Sequence, residues 1–154
     1  YYRTICVDYR FKVESAGKRW AIRYFKLRHA RKLWHLANLA LFCQAAQLPD
    51  AERDLHLATM LPQPPLLRIS STLRALGGLE LCADLLRAYD GFLAALADPG
   101  LRRGLDLVDY AARLEDPLFQ RLSASADRFD GAAQAIVQHL WRRCNDHLVR
   151  YGLL

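Results

Sequence analysis

The chain has 154 residues, 53% of them hydrophobic, and 22 Lys/Arg against 16 Asp/Glu give a net charge of +6. That length fits a single domain that buries a core without disulfides or metal. No apolar run approaches the ~20 residues that cross a bilayer. Cys6, Cys43, Cys82 and Cys144 are widely spaced, which argues against a disulfide scaffold and predicts reduced, inert thiols in a cytoplasmic protein.

The charge is local. Residues 1–35 hold ten Lys/Arg against Asp8 and Glu14, a balance of +8, while the rest hold twelve against fourteen. The sequence opens mid-pattern at Tyr1, which is read as the sign of a fragment of something longer.

Tyr2, Ile5, Cys6, Tyr9 and Val13 follow helical spacing, so a helix is favoured over a strand in residues 1–15. Ala16-Gly17 predicts a turn. Lys18–Phe42 then runs without glycine or proline and predicts a long helix that stops near Leu48, because Pro49 disfavours helix in the residue before it. Ile22, Phe25, Leu33, Leu36 and Ala40 share a sector that should face a core. Arg19, Arg23 and Lys26 form one adjoining row, and Trp20, Tyr24, Arg28, Arg31 and His35 another.

Asp50 is placed to cap the next helix. Pro62-Gln63-Pro64-Pro65 is a breaker and the candidate subdomain boundary within an otherwise single helical domain. Ser70 to Thr72 start or continue a helix ending at Gly77-Gly78. Leu79–Ala97 forms another, with Leu81, Leu85, Tyr89, Phe92 and Leu96 as its stripe. Asp98-Pro99-Gly100 reads as a turn before a helix from Leu101 to Leu114. Asp116-Pro117 offers an N-cap with proline in the first helical position. Asp130 is expected to cap a last helix from Gly131 to Tyr151. The sum is an all-α bundle of about seven or eight helices.

No phosphate loop or HExxH pattern is present. His29 and His35 point about 120° apart on a helix and make a poor metal pair. Asp106 and Asp109 share a face and suit a cation, but balancing Arg102, Arg103 and Arg113 is the plainer role. Arg142 and His147 fit R-x4-H, which resembles the signature of HEPN-domain ribonucleases, where the pair would polarise a phosphate and assist a ribose hydroxyl. Here Arg143 stands where that family has a polar residue, and on one helix the two side chains diverge by about 140°.

The strongest signal is basic and aromatic. Arg3, Arg19, Arg23, Lys26, Arg28, Arg31 and Lys32 suit phosphate, since guanidinium groups bind it bidentately and neighbouring rings can stack on a base. The plainer reading makes Trp20, Tyr24 and Phe25 core residues under arginine stems. A noncatalytic module for nucleic acid or an acidic protein fits the same charge.

Tyr2-Arg3-Thr4, Val7-Asp8-Tyr9, Trp20-Ala21-Ile22-Arg23-Tyr24 and Lys26-Leu27-Arg28-His29-Ala30-Arg31-Lys32 resemble the helical region after the catalytic domain in a group of bacterial nucleotidyltransferase-like proteins of the polymerase-β type superfamily. The resemblance covers residues 1–42. It implies an upstream catalytic domain with a Gly-Ser motif and paired aspartates that hold magnesium with a nucleotide. Neither motif occurs in these residues. It further implies that Arg3, Arg23, Lys26, Arg28, Arg31 and Lys32 position a triphosphate or its acceptor, with no cofactor held by this chain itself.

Overall fold

The computed structural model describes residues 2–15 and 19–147, without the side chains of Tyr2 and His147. All regular elements among them are helical: α1 (Tyr2–Glu14), α2 (Ala21–Lys26), a π-helical turn (Leu27–Arg31), α3 (Lys32–Ala45), α4 (Asp50–Met60), α5 (Pro65–Leu76), a 3-10 turn (Leu79–Leu81), α6 (Cys82–Ala97), α7 (Pro99–Leu107) and α8 (Pro117–His147). The chain is all-α. None of these helices is long and apolar enough to cross a membrane.

Local chemistry explains most boundaries. Pro65 opens α5 at its first turn, and Gly77 closes it at φ 75°, a left-handed angle that costs glycine nothing. Asp98 is more than a turn residue, because its carboxylate accepts from the N–H groups of Gly100 and Leu101 and starts α7. Asp116 accepts from Phe119 N–H at 2.8 Å, as the Asp-Pro pair implies.

Four expectations give way. Asp50 is the first helical residue of α4, not its cap, and pairs with Arg53 at 2.9 Å instead. The helix expected to reach Leu114 ends at Leu107, since Val108 is extended, buries its side chain and accepts a hydrogen bond from the Trp20 indole at 3.1 Å. Asp130 caps nothing. The helix runs through Asp130-Gly131 because buried positions keep steps of three and four there (Ala126, Phe129, Ala133, Ile136, Leu140), which outweighs the ~1 kcal/mol cost of one interior glycine. The helix containing the basic stretch starts at Ala21, not Lys18, and carries the π turn. The turn expected at Ala16-Gly17, and the end of the last helix beyond His147, lie outside the described residues.

The described residues form two compact units, one within 1–32 and 85–131 and the other within 33–84 and 132–154. Pro62-Gln63-Pro64-Pro65 joins two helices of the second unit. In the first unit Ala21, Phe25, Phe92, Leu105, Phe119, Leu122 and Ala126 form the core, with Trp20, Tyr24 and Tyr89 packed against it. Ala21, Phe25 and His29 are all buried at a spacing of four. An ideal α-helix would rotate each of these by about 40° from the last. The wider π turn takes up that drift and keeps His29 facing inward.

In the second unit α3 buries Leu33, Leu36, Ala37, Ala40 and Leu41, and α5 buries Ile69 and Leu73. Thr72 donates to Gln44 at 2.9 Å, which joins these two helices. By contrast α4 buries no residue and is tied down by Arg53, which donates to the carbonyls of Ala45 and Leu48 at 3.2 and 3.1 Å. Near its end α8 kinks at Cys144, whose sulfur accepts from Gln47 at 2.6 Å. Cys43 lies beside Cys144, and burial pushes its thiol up to about 12. A thiol that stays protonated is a poor nucleophile.

Candidate anion-binding groove

Helix α1 lies against the π turn. Its polar side is ordered by i,i+4 pairs: Lys12 to Asp8 at 2.6 Å, and Arg10 to Glu14 at 2.9 Å. Between α1 and the basic segment runs an open groove of about 310 Å³. Asp8, Tyr9 and Lys12 line it from α1. Arg23, Lys26 and Arg31 line it from α2 and the π turn. Asp8 is already matched by Lys12. Among the described residues, Arg23, Lys26 and Arg31 have no carboxylate partner, so the groove carries three uncompensated positive charges. Tyr9 adds an aromatic wall. Burial, with Tyr110 and Tyr24 nearby, pushes its phenol up to about 12 and keeps it a neutral hydrogen-bond donor at ordinary pH.

The other cations of the basic stretch do different work. Arg19 lies ahead of α2 and pairs with Asp106. Arg28 donates to Asp127 at 2.7 Å and to Asp130 at 2.5 Å, and Lys32 donates to Asp130 at 2.6 Å. Arg3 is exposed on α1 outside the groove lining. The structure therefore brings three of the seven candidate cations together and fastens three others to carboxylates. Tyr24 is half-buried and packs against the core, its ring 5.2 Å from Phe25 and 5.6 Å from Phe119.

His29 was not a candidate, yet it is the most confined polar side chain of the segment. Its ring stacks on Phe92 at 4.1 Å with 1° between planes. Its Nδ1–H donates to the Phe25 carbonyl at 2.9 Å, which leaves the Nε2 lone pair buried without a partner among the described residues. Burial lowers its pKa, and this outweighs the backbone hydrogen bond; Arg28 and Lys32 push the same way and Asp130 the other. The folded chain thus holds His29 neutral at a pH where the unfolded chain protonates it. Its contribution is complete above the unfolded value near 6.5 and is lost progressively as pH falls below it. Urea melts at pH 7.5 and 5.5 should show reduced stability at the lower pH, and His29→Phe should diminish that difference, leaving the part due to His35, whose pKa burial also lowers. An equal pH dependence in the variant would assign the acid sensitivity elsewhere.

The remaining candidates do not gather. Asp106 is engaged by Arg19, and Asp109 accepts from the Ala111 N–H at 3.4 Å. Among the described residues no group of three His, Cys, Asp or Glu side chains is placed to hold a metal ion. Arg142 is exposed beside Val137, Gln138 and Trp141. The His147 side chain lies outside the described set.

Sequence reasoning missed the α1 wall of the groove. The Asp8–Lys12 spacing was the signal that could have found it, since an i,i+4 pair on a predicted helix shows which face is polar. Comparison with protein-family models, curated proteins and solved structures finds no match to this chain.

Proposed function

We propose that this chain is an accessory helical region of a bacterial nucleotidyltransferase-like protein, and that the groove between α1 and the π turn holds the phosphates of a nucleotide or of its acceptor. The observation behind this reading is the convergence beside Tyr9 of Arg23, Lys26 and Arg31, none paired with a carboxylate of the described residues, while the groove's Asp8 is taken up by Lys12. The groove's ~310 Å³ falls at the small end of ligand-pocket volumes. Guanidinium groups match phosphate oxygens, and a tyrosine ring offers a stacking face for a base. The resemblance of residues 1–42 supplies the reaction class. The catalytic domain would be a separate, upstream part of the parent protein, and magnesium would arrive with the nucleotide there.

Calorimetric titration of the chain with ATP and magnesium tests this. Arg23→Ala and Arg31→Ala should each weaken binding by about tenfold or more, the scale of one charge-assisted hydrogen bond. Arg19→Ala should leave it unchanged, because Asp106 already occupies that side chain. Binding that survives the Arg23→Ala, Arg31→Ala double variant would remove the groove from consideration. Tight, steeply salt-dependent binding of single-stranded RNA in place of ATP would favour a nucleic-acid module instead.

A further inference from the structure

Arg68 on α5 is the largest fully buried side chain among the described residues, at 1% exposure, and none of their carboxylates pairs with it. A guanidinium cannot shed its proton, and an uncompensated buried charge is costly. One terminal nitrogen, Nη1, donates to Asn38 Oδ1. Among the described residues Nε and Nη2 have no hydrogen-bond partner. Those two nitrogens share one edge of the guanidinium plane, the edge whose parallel N–H groups donate side-on to a carboxylate. The Trp34 ring stacks over the guanidinium with its centroid 4.8 Å away, yet Trp34 itself is 45% exposed. Trp34 thus covers one face of the guanidinium and has solvent on its own other side.

The surroundings identify the kind of anion. Asn38 lies four residues from Trp34 and four from Phe42 along α3, and Phe42 is half-exposed; so is Leu67, next to Arg68. A free inorganic anion gains nothing from such apolar flanks. An acidic side chain set among bulky apolar residues matches both the fork and the flanks.

We propose that Arg68, Asn38 and Trp34 form a receptor for a glutamate or aspartate side chain that a partner protein presents between large apolar residues. The carboxylate lies against Nε and Nη2 of Arg68. The Asn38 amide, whose oxygen faces the guanidinium, turns its NH₂ group to the same ligand. Trp34 swings aside and covers the apolar neighbour. The site is separate from the α1 groove and does not depend on the nucleotide reading.

The test uses the whole chain labelled with ¹⁵N and two capped peptides, acetyl-Leu-Leu-Glu-Phe amide and its glutamine counterpart. The glutamate peptide should shift the Arg68 Nε–H and Trp34 indole resonances saturably and bind at least tenfold more tightly than the glutamine peptide. Arg68→Met, close in volume and without charge, should erase that preference. Arg68→Lys keeps the charge but loses the fork, and should weaken the glutamate peptide at least tenfold. Equal binding of the two peptides overturns the proposal, as does an unchanged preference in either variant that folds. Acetate or phosphate binding as tightly as the glutamate peptide also overturns it, in favour of a small-anion site.

Discussion

Replacing Phe119 by alanine should lower the unfolding free energy by about 3–5 kcal/mol, a large share of the 5–15 kcal/mol that holds an ordinary domain together. Phe119 is buried in the first turn of α8 and is the meeting point of an aromatic cluster. Its ring centroid lies 5.3 Å from Trp20, 5.6 Å from Tyr24 and 5.2 Å from Phe25. These are the spacings at which tilted rings attract beyond their area burial. The deletion leaves a hole that three rigid rings fill poorly, and it loosens the residues that anchor α2. Chemical denaturation should show the shift in midpoint, and near-ultraviolet circular dichroism should lose signal from Trp20. A loss below about 1 kcal/mol would mean that the cluster relaxes into the space and that α2 is held by other contacts.

The same cluster shows what a sequence can reveal. Buried faces were legible in part from helical periodicity: of the expected sector Phe25, Leu33, Leu36 and Ala40 lie inside and Ile22 is half-buried, and of the later stripe Leu85 and Phe92 lie inside while Leu81, Tyr89 and Leu96 are half-buried. Asp116-Pro117 was legible because a cap is a contact between near neighbours. The π turn was not, since its cause lies outside the segment. His29 reaches inward to stack on Phe92, and nothing within residues 27–31 marks that pull.

The cations make the point more sharply. On a helical wheel Arg19, Arg28 and Lys32 look as available as Arg23, Lys26 and Arg31. What separates the two sets is acidic partners far along the chain. Asp106 stands 87 positions after Arg19, and Asp130 stands 102 after Arg28. Asp130 was itself misread as a helix cap, because an aspartate before a glycine satisfies the local rule. Local rules see neighbours, and the division of this basic stretch into a structural half and an open half depends on residues folded back from elsewhere in the same unit.

Asp130→Ala should therefore destabilise the chain by about 2–3 kcal/mol, somewhat less than the ~3–5 kcal/mol of breaking a fully buried pair because these side chains keep some contact with water. The carboxylate sits between Arg28 and Lys32, and the three side chains are only 30%, 18% and 28% exposed. Without it, Lys32 loses its carboxylate, and Arg28 keeps only the well-exposed Asp127, a pairing weakened by water. The pH dependence identifies the cause. Burial raises the Asp130 pKa, but hydrogen bonds from Arg28 and Lys32 outweigh it, and the net shift is downward. Its contribution is present above the unfolded carboxyl value near 3.9 and is lost as pH falls through the lower folded value. The gap between wild type and Asp130→Ala should thus stay constant from pH 7 to about 5 and close in stronger acid. That window is distinct from the one set by His29, which begins near 6.5. Asn at position 130, neutral and the same shape, should recover only part of the loss, since it retains one acceptor for two cations. If denaturation shows no loss in Asp130→Ala at pH 7, Arg28 and Lys32 are solvated charges rather than structural ones. The anion-binding surface would then have to be redrawn to include them.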